Sequence, residues 1–178
     1  MPFAYLSFVD LFVWIIMSNK KLRVGWFTLT CCEDSTIIFT ELLNTRWQAW
    51  RQQIEFVHAK VLQNTNKWEP MDVAFVEGAV AGPDQEEKLK KIRSLATKLV
   101  SIGSCACTGL PSSQRNRFDG PTKEEIKSLL LRFKQAETVK FLRQVVAVDD
   151  EVNGCPMNEK PFLDLIDKYL KEFGIISS

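Results

Sequence analysis

The sequence has almost no excess charge of either sign, a single histidine and few cysteines for its length. Lys and Arg number 23 against 22 Asp and Glu, a formal net charge of +1, so we expect no nucleic-acid partner. Five cysteines are too few and too scattered for a secreted disulfide scaffold, and an odd number leaves one thiol unpaired. The patterns GxxxxGK(S/T), GxSxG and HExxH are absent. We therefore expect a reducing compartment, cysteines that serve metal or redox chemistry, and no catalytic site within this chain.

The first 17 residues, MPFAYLSFVDLFVWIIM, differ in composition from the rest. The apolar run is shorter than the roughly 20 residues that a membrane-spanning helix needs, and it contains Asp10. It also lacks the basic start and cleavage site of a secretory signal. We interpret residues 1–17 as a pendant extension or an upstream reading artefact, with a membrane-associated helix as the alternative. Residues 18–178 are predicted to form a single domain.

From residue 21 onward, apolar runs typical of strands alternate with segments of helical period. The predicted strands are Leu22–Leu29, Ile54–Leu62, Met71–Val76, Leu99–Ile102 and Val145–Val148. Helices are predicted after a cap at Asp34 or Ser35, from Asp84, over PTKEEIKSLLLRF and over PFLDLIDKYLKEF. This alternation predicts a doubly wound α/β domain, flavodoxin-like, with a mostly parallel sheet of about five strands and helices on both faces.

The cysteines follow the predicted strands. Cys31 and Cys32 come after the first strand, Cys105 and Cys107 after the fourth, and Cys155 after the last. Because the carboxyl ends of parallel strands share one edge, these thiols are expected to converge there. Thiolates suit an iron–sulfur cluster or zinc, and the glycine-rich contexts GSCACTG and NGCP favour a cluster. The alternatives are zinc, a redox-active pair of adjacent thiols, and cysteines buried as small apolar side chains.

Four motifs, TCCEDS, VEGAVAGP, GSCACTGLPSSQRN and NGCPMNE, resemble those of one known family. The chain is similar over about residues 22–173 to the small subunit of nickel-iron hydrogenases and to the 20 kDa-type subunit of respiratory complex I. The side-by-side cysteines of TCCEDS resemble complex I. VEGAV and GLPSSQRN resemble hydrogenases, and in particular their short, single-cluster cytoplasmic form.

The resemblance implies that this chain holds one 4Fe-4S cluster. Carried over by position, the ligands are Cys32, Cys105 and Cys155, with Cys31 as the fourth and Cys107 in reserve. No catalytic site is implied within the chain.

The implied function is that of an electron-transfer small subunit of a nickel-iron hydrogenase. Its implied partners are a large subunit that carries the nickel-iron centre and a diaphorase-like or ferredoxin-like redox subunit. We expect a cytoplasmic location without membrane association. The alternatives are a complex I-like 20 kDa-type subunit in a quinone-reducing module and a clusterless scaffold or binding domain of the same fold.

Three further polar residues stand out. Glu77, in VEGAV, resembles a family glutamate near the cluster. It is interpreted either as a residue that handles protons or as a loop carboxylate that binds a backbone N–H. Arg115, in SSQRN, is predicted either to donate hydrogen bonds near the cluster or partner, or to lie in a solvated loop. His58, the only histidine, could donate to a ligand or metal, but we expect it to be a partly exposed residue of a strand or helix.

Overall fold

The structure, a computed structural model, describes residues 20–177. The predicted extension over residues 1–17 lies outside the described residues. Within the described part of the chain, no helix is both long enough and apolar enough to cross a membrane.

A five-stranded sheet forms the centre of the fold, and every strand pairing in it is parallel. The strands are β1 (Leu22–Thr28), β2 (Ile54–Ala59), β3 (Met71–Glu77), β4 (Ala96–Ile102) and β5 (Asp150–Val152). Their spatial order is β2-β1-β3-β4-β5, which is the flavodoxin-like order. The predicted fold class is therefore confirmed. Coverage of the sheet on both faces explains the largely apolar stretches within the central strands, such as Val73–Val76.

Helices cover the two faces of the sheet. The helices are α1 (Asp34–Gln53), α2 (Pro83–Leu95), the short α3 (Gly103–Thr108), α4 (Gly120–Arg132) and α5 (Glu159–Glu172). Side chains of α1 and α5 pack with one face of the sheet, and those of α2 pack with the other. Helix α4 has no buried residue.

The core on the α1 and α5 side is rich in aromatic rings. Trp26 of β1 stacks on Phe39 of α1 with ring centroids 4.3 Å apart, and Phe162 of α5 meets Trp26 edge-on. The predicted inner side of the last helix is confirmed, because its five apolar residues are all buried: Phe162, Leu165, Ile166, Tyr169 and Leu170.

The prediction of a strand at Val145–Val148 is wrong. A short 3-10 helix, Leu142–Gln144, precedes this segment, and its half-buried valines pack against the α2-side core. The fifth strand is Asp150–Val152, paired with Val100–Ile102 of β4. The apolar valines of residues 145–148 thus pack against the core on one face of the sheet. The more polar segment that follows them forms the edge strand.

Candidate functional site

Four of the five cysteines line one pocket at the carboxyl edge of the sheet: Cys31, Cys32, Cys105 and Cys155. The first two follow β1, Cys105 lies in α3 directly after β4, and Cys155 follows β5. All four are free thiols. The structure therefore brings together thiols from three separate loops, as the topology of the sheet predicts. Their role as ligands stays a prediction.

Two glycines allow the loops of the pocket to approach closely. Gly103, at the start of α3, has φ +78°, and a Cβ there would lie 2.9 Å from Ser35 Oγ. Gly154, which precedes Cys155, has φ +129°, and a Cβ there would clash with the Pro156 carbonyl oxygen. The Gly154 carbonyl accepts a 2.7 Å hydrogen bond from the Ser104 N–H, so the β4 and β5 loops are joined directly beside the cysteines.

The four thiols differ in exposure. Cys105 is buried, Cys31 is half-buried, and Cys32 and Cys155 are exposed. Burial raises the pKa of the Cys31 thiol to about 12, and the charge of Glu77 adds to the effect. Because a metal binds the thiolate, loading the site at neutral pH would release the proton of Cys31.

Cys107 is separated from this group. Its Sγ lies 3.6 Å from the Ser101 carbonyl oxygen, and burial raises the pKa of its thiol to about 12. Cys107 is not among the residues that line the pocket. Residues two apart on an α-helix point about 200° apart, so α3 directs Cys105 and Cys107 to different sides.

Glu77, the last residue of β3, also lines the pocket and is buried. Its carboxylate accepts hydrogen bonds from the Ser35 N–H (3.0 Å), the Thr36 N–H (3.1 Å) and the Thr36 hydroxyl (2.6 Å). Burial raises the pKa of Glu77, against the opposing effect of these hydrogen bonds. The carboxylate thus accepts hydrogen bonds from backbone N–H groups at the start of α1. This agrees with the interpretation of Glu77 as a residue that binds a backbone N–H.

The predicted cap of α1 at Asp34 or Ser35 is wrong. The cap position is Glu33, in a left-handed conformation with φ +65° and without a capping side-chain bond. The free N–H groups of the first turn bind Glu77 from another strand instead.

Arg115 and His58 lie outside the residues that line the pocket. One Arg115 nitrogen, Nη2, donates to the carbonyl oxygens of Ala81 (2.9 Å) and Ala136 (2.7 Å) and so joins two loops. His58 is buried, with its ring stacked on Phe27 at 4.3 Å between centroids. The expectation of a partly exposed His58 is therefore wrong.

Ser112 is a site residue that the sequence reasoning missed. Its hydroxyl lies 3.1 Å from Cys105 Sγ and 3.2 Å from the Thr30 carbonyl oxygen. The only signal in the sequence is its position in the GLPSSQRN segment. Nothing in that segment indicates which of its two serines faces a cysteine.

The donor set of the pocket consists of thiols, which are the ligands that iron–sulfur clusters take. Within residues 20–177, no three His, Cys, Asp or Glu side chains are grouped closely enough to hold one ion. A zinc site needs four ligands around one ion, whereas the four cysteines of a 4Fe-4S cluster stand around a larger body.

Comparisons with known proteins agree with this fold. The family model described as NADH ubiquinone oxidoreductase, 20 Kd subunit, matches residues 31–169. One subunit of the F420-non-reducing hydrogenase of Methanothermobacter marburgensis is 24% identical over 168 residues, covering 85% of this chain and 54% of that protein. The gamma subunit of the coenzyme F420 hydrogenase of Methanosarcina barkeri is 24% identical over 142 residues, covering 78% and 50%. The chain thus spans about half the length of the curated relatives it matches.

Two solved structures share the fold. A chain of an NAD+-reducing NiFe hydrogenase in the H2-reduced state superposes with a TM-score of 0.74 and 23% identity, covering 85% of this chain and 92% of that one. The Ni-Fe-Se hydrogenase from Desulfomicrobium baculatum gives a TM-score of 0.58 and 14% identity, covering 83% and 61%. At these identities the likeness concerns the fold alone.

Proposed function

The chain belongs to the NADH ubiquinone oxidoreductase 20 kDa subunit family, and from this premise we propose that it is the electron-transfer subunit of a hydrogenase complex. In this proposal one 4Fe-4S cluster is held by Cys31, Cys32, Cys105 and Cys155. Electrons would pass through it between a nickel-iron centre in a separate large subunit and a further redox subunit.

One observation carries the proposal. Four thiols from three distant stretches of the sequence line a single pocket at the carboxyl edge of a parallel sheet. This edge is where open α/β sheets bind their ligands. Soft thiolates are the ligands that iron–sulfur clusters take.

Each part of the pocket has a distinct role in this proposal. A bound 4Fe-4S cluster takes up and gives back one electron at a time. Buried Cys105 anchors the site from α3, while exposed Cys32 and Cys155 lie on the side open to a partner. Glu77 fixes the start of α1 and so holds the loop of Cys31 and Cys32 against the sheet.

The relatives are subunits of hydrogenases, which supports partner subunits in general. The resemblance of the motifs adds the specific partners that we propose: a hydrogenase large subunit and a diaphorase-like or ferredoxin-like redox subunit. A complex I-like role remains the second candidate, because the adjacent Cys31 and Cys32 resemble the complex I spacing. A large subunit that copurifies with nickel supports the hydrogenase role, and one without nickel supports the complex I-like role.

Metal and sulfide analysis of anaerobically purified protein tests the cluster. We expect about four irons and four sulfides per chain and an EPR signal after dithionite reduction. Cys31→Ser should lose or alter that signal because it removes a ligand. Cys107→Ser is the matched control, since this thiol lies outside the pocket, and it should retain iron and signal.

Two results would contradict the proposal. Folded protein free of iron would exclude the electron relay and favour the clusterless scaffold, or a zinc site if zinc is bound. Loss of iron in Cys107→Ser with retention in Cys31→Ser would instead reverse the choice of the fourth ligand.

A further inference from the structure

The Ser112 hydroxyl makes a direct contact with a cysteine of the pocket. Its Oγ lies 3.1 Å from Cys105 Sγ, and Cys105 is only 7% exposed. Within residues 20–177, no other side-chain hydroxyl is hydrogen-bonded to one of the four pocket sulfurs. Ser112 is therefore placed to act on the site through Cys105.

The hydroxyl has a second partner that makes its hydrogen sensitive to the state of the sulfur. Ser112 Oγ is also 3.2 Å from the carbonyl oxygen of Thr30. When Cys105 is a thiol, the hydroxyl can donate to Thr30 and accept from the S–H group. When Cys105 is a thiolate, its sulfur only accepts, and a hydrogen bond to a charged acceptor is the stronger one.

The acidic side chains of the pocket give a hydrogen-bond donor at Cys105 an effect on the reduction potential. Asp34 and Glu77 line the same pocket, and negative charge near a redox centre opposes the uptake of an electron. A hydrogen bond to a buried sulfur is electrostatically stronger than one in water. Hydrogen bonds to ligand sulfurs are among the factors that set the reduction potential of a cluster.

We propose that Ser112 is a positioning residue that raises the reduction potential of the site by donating a hydrogen bond to the Cys105 thiolate. The inference rests on the proposed function, since it requires a cluster bound through Cys105. One electron enters on reduction, and the proton stays on Ser112 Oγ throughout. Its hydrogen bond strengthens as the negative charge on the sulfur grows, which favours the reduced form.

A redox titration of the cluster-loaded full chain, followed by EPR, tests the inference. Ser112→Ala should shift the midpoint potential to a more negative value, while Ser112→Thr, which keeps a hydroxyl, should restore it toward that of the original protein. Ser113→Ala is the matched control, because within residues 20–177 the neighbouring serine is neither hydrogen-bonded to a cysteine sulfur nor among the residues that line the pocket. Iron content and thermal unfolding are measured on every variant, since a purely structural role would change these and leave the potential unshifted.

The outcomes separate this inference from the proposed function. A Ser112→Ala protein with full iron content and an unchanged midpoint potential overturns the inference and leaves the relay intact. Ser112→Gly is a second variant without the hydroxyl, and if neither it nor Ser112→Ala retains iron, Ser112 acts in assembly and the inference is wrong. An unsubstituted chain that never holds iron overturns the proposed function itself.

Discussion

The contact between α1 and the end of β3 leads to a quantitative prediction about Thr36. The Thr36 hydroxyl donates a 2.6 Å hydrogen bond to Glu77 and accepts a 2.9 Å hydrogen bond from Trp26 Nε1. Both contacts are buried. Thr36→Val keeps the shape of the side chain and removes both bonds, so an indole N–H and a carboxylate oxygen each lose a partner.

The expected cost of Thr36→Val follows from these two losses. A buried donor left without a partner costs about 2 kcal/mol, and a lost hydrogen bond to a charged group costs about as much. Since neighbouring effects are not fully additive, we expect the free energy of unfolding to fall by about 3 kcal/mol. Thr36→Ser keeps the hydroxyl and loses one buried methyl group, so it should lower the free energy of unfolding by only about 1 kcal/mol.

Denaturant unfolding of the metal-free chain measures these differences. Thr40→Val is the matched control on the same helix, because the exposed Thr40 hydroxyl bonds only to the Ile37 carbonyl. It should change stability by no more than about 0.5 kcal/mol. If Thr36→Val is as stable as Thr36→Ser, the reasoning about the buried network is refuted.

The same substitution has a pH dependence of definite sign. Burial raises the pKa of Glu77 above its ordinary value of 4.5, so the folded state binds the proton more tightly than the unfolded state. The stability that protonation of Glu77 contributes to the folded state is therefore fully present below pH 4.5 and falls as pH rises through the folded pKa. Because the Thr36 hydrogen bond lowers this pKa, Thr36→Val should raise it further. The stability gap to Thr36→Ser should widen as pH increases above the Glu77 pKa.

Two other substitutions have predictable costs. Tyr169→Phe removes a 2.5 Å hydrogen bond to Asp150 and should destabilise the fold by about 1.5 kcal/mol in denaturant unfolding at neutral pH. Burial raises the pKa of Asp150, but the hydrogen bonds from Lys168 and Tyr169 and the charge of Lys168 outweigh burial, so this pKa is lowered overall. The stability difference between Tyr169→Phe and the original protein should thus shrink as pH falls below 3.8 through the folded pKa of Asp150. A difference that does not change with pH would contradict this account. Gly25→Ala would bring a Cβ within 2.5 Å of Met71 Sδ and should lower stability by about 2 kcal/mol. Gly120→Ala, with nothing within 4 Å of its Cβ, is the control, and equal unfolding midpoints for the two would refute the packing argument.

Burial on both faces explains why the central strands could be predicted and the edge strand could not. β1, β3 and β4 each contain a largely apolar stretch because helices cover both faces of the sheet. The segment Asp150–Val152 has no such signal, and it pairs only with β4. Its Asp150 is acceptable there because Lys168 and Tyr169 bind the carboxylate.

The cap of α1 could not be predicted for a related reason. Asp34 and Ser35 are local capping candidates by residue type. The acceptor that binds the first turn is Glu77, 41 residues from Thr36 in the sequence. Local rules cannot identify a cap that comes from another strand, so the sequence indicates that Glu77 could bind a backbone N–H but not that this N–H belongs to α1.

The cysteines show where sequence reasoning succeeds and where it ends. Their convergence followed from strand topology alone, but the choice between Cys31 and Cys107 depended on the local conformation of GSCACT. In an extended loop, residues two apart project to the same side, and Cys107 would accompany Cys105. In a helix they diverge by about 200°, and GSCACT is helical. The helix points Cys105 into the pocket and Cys107 toward the Ser101 carbonyl, and for this reason the proposed cluster takes Cys31, and not Cys107, as its fourth ligand.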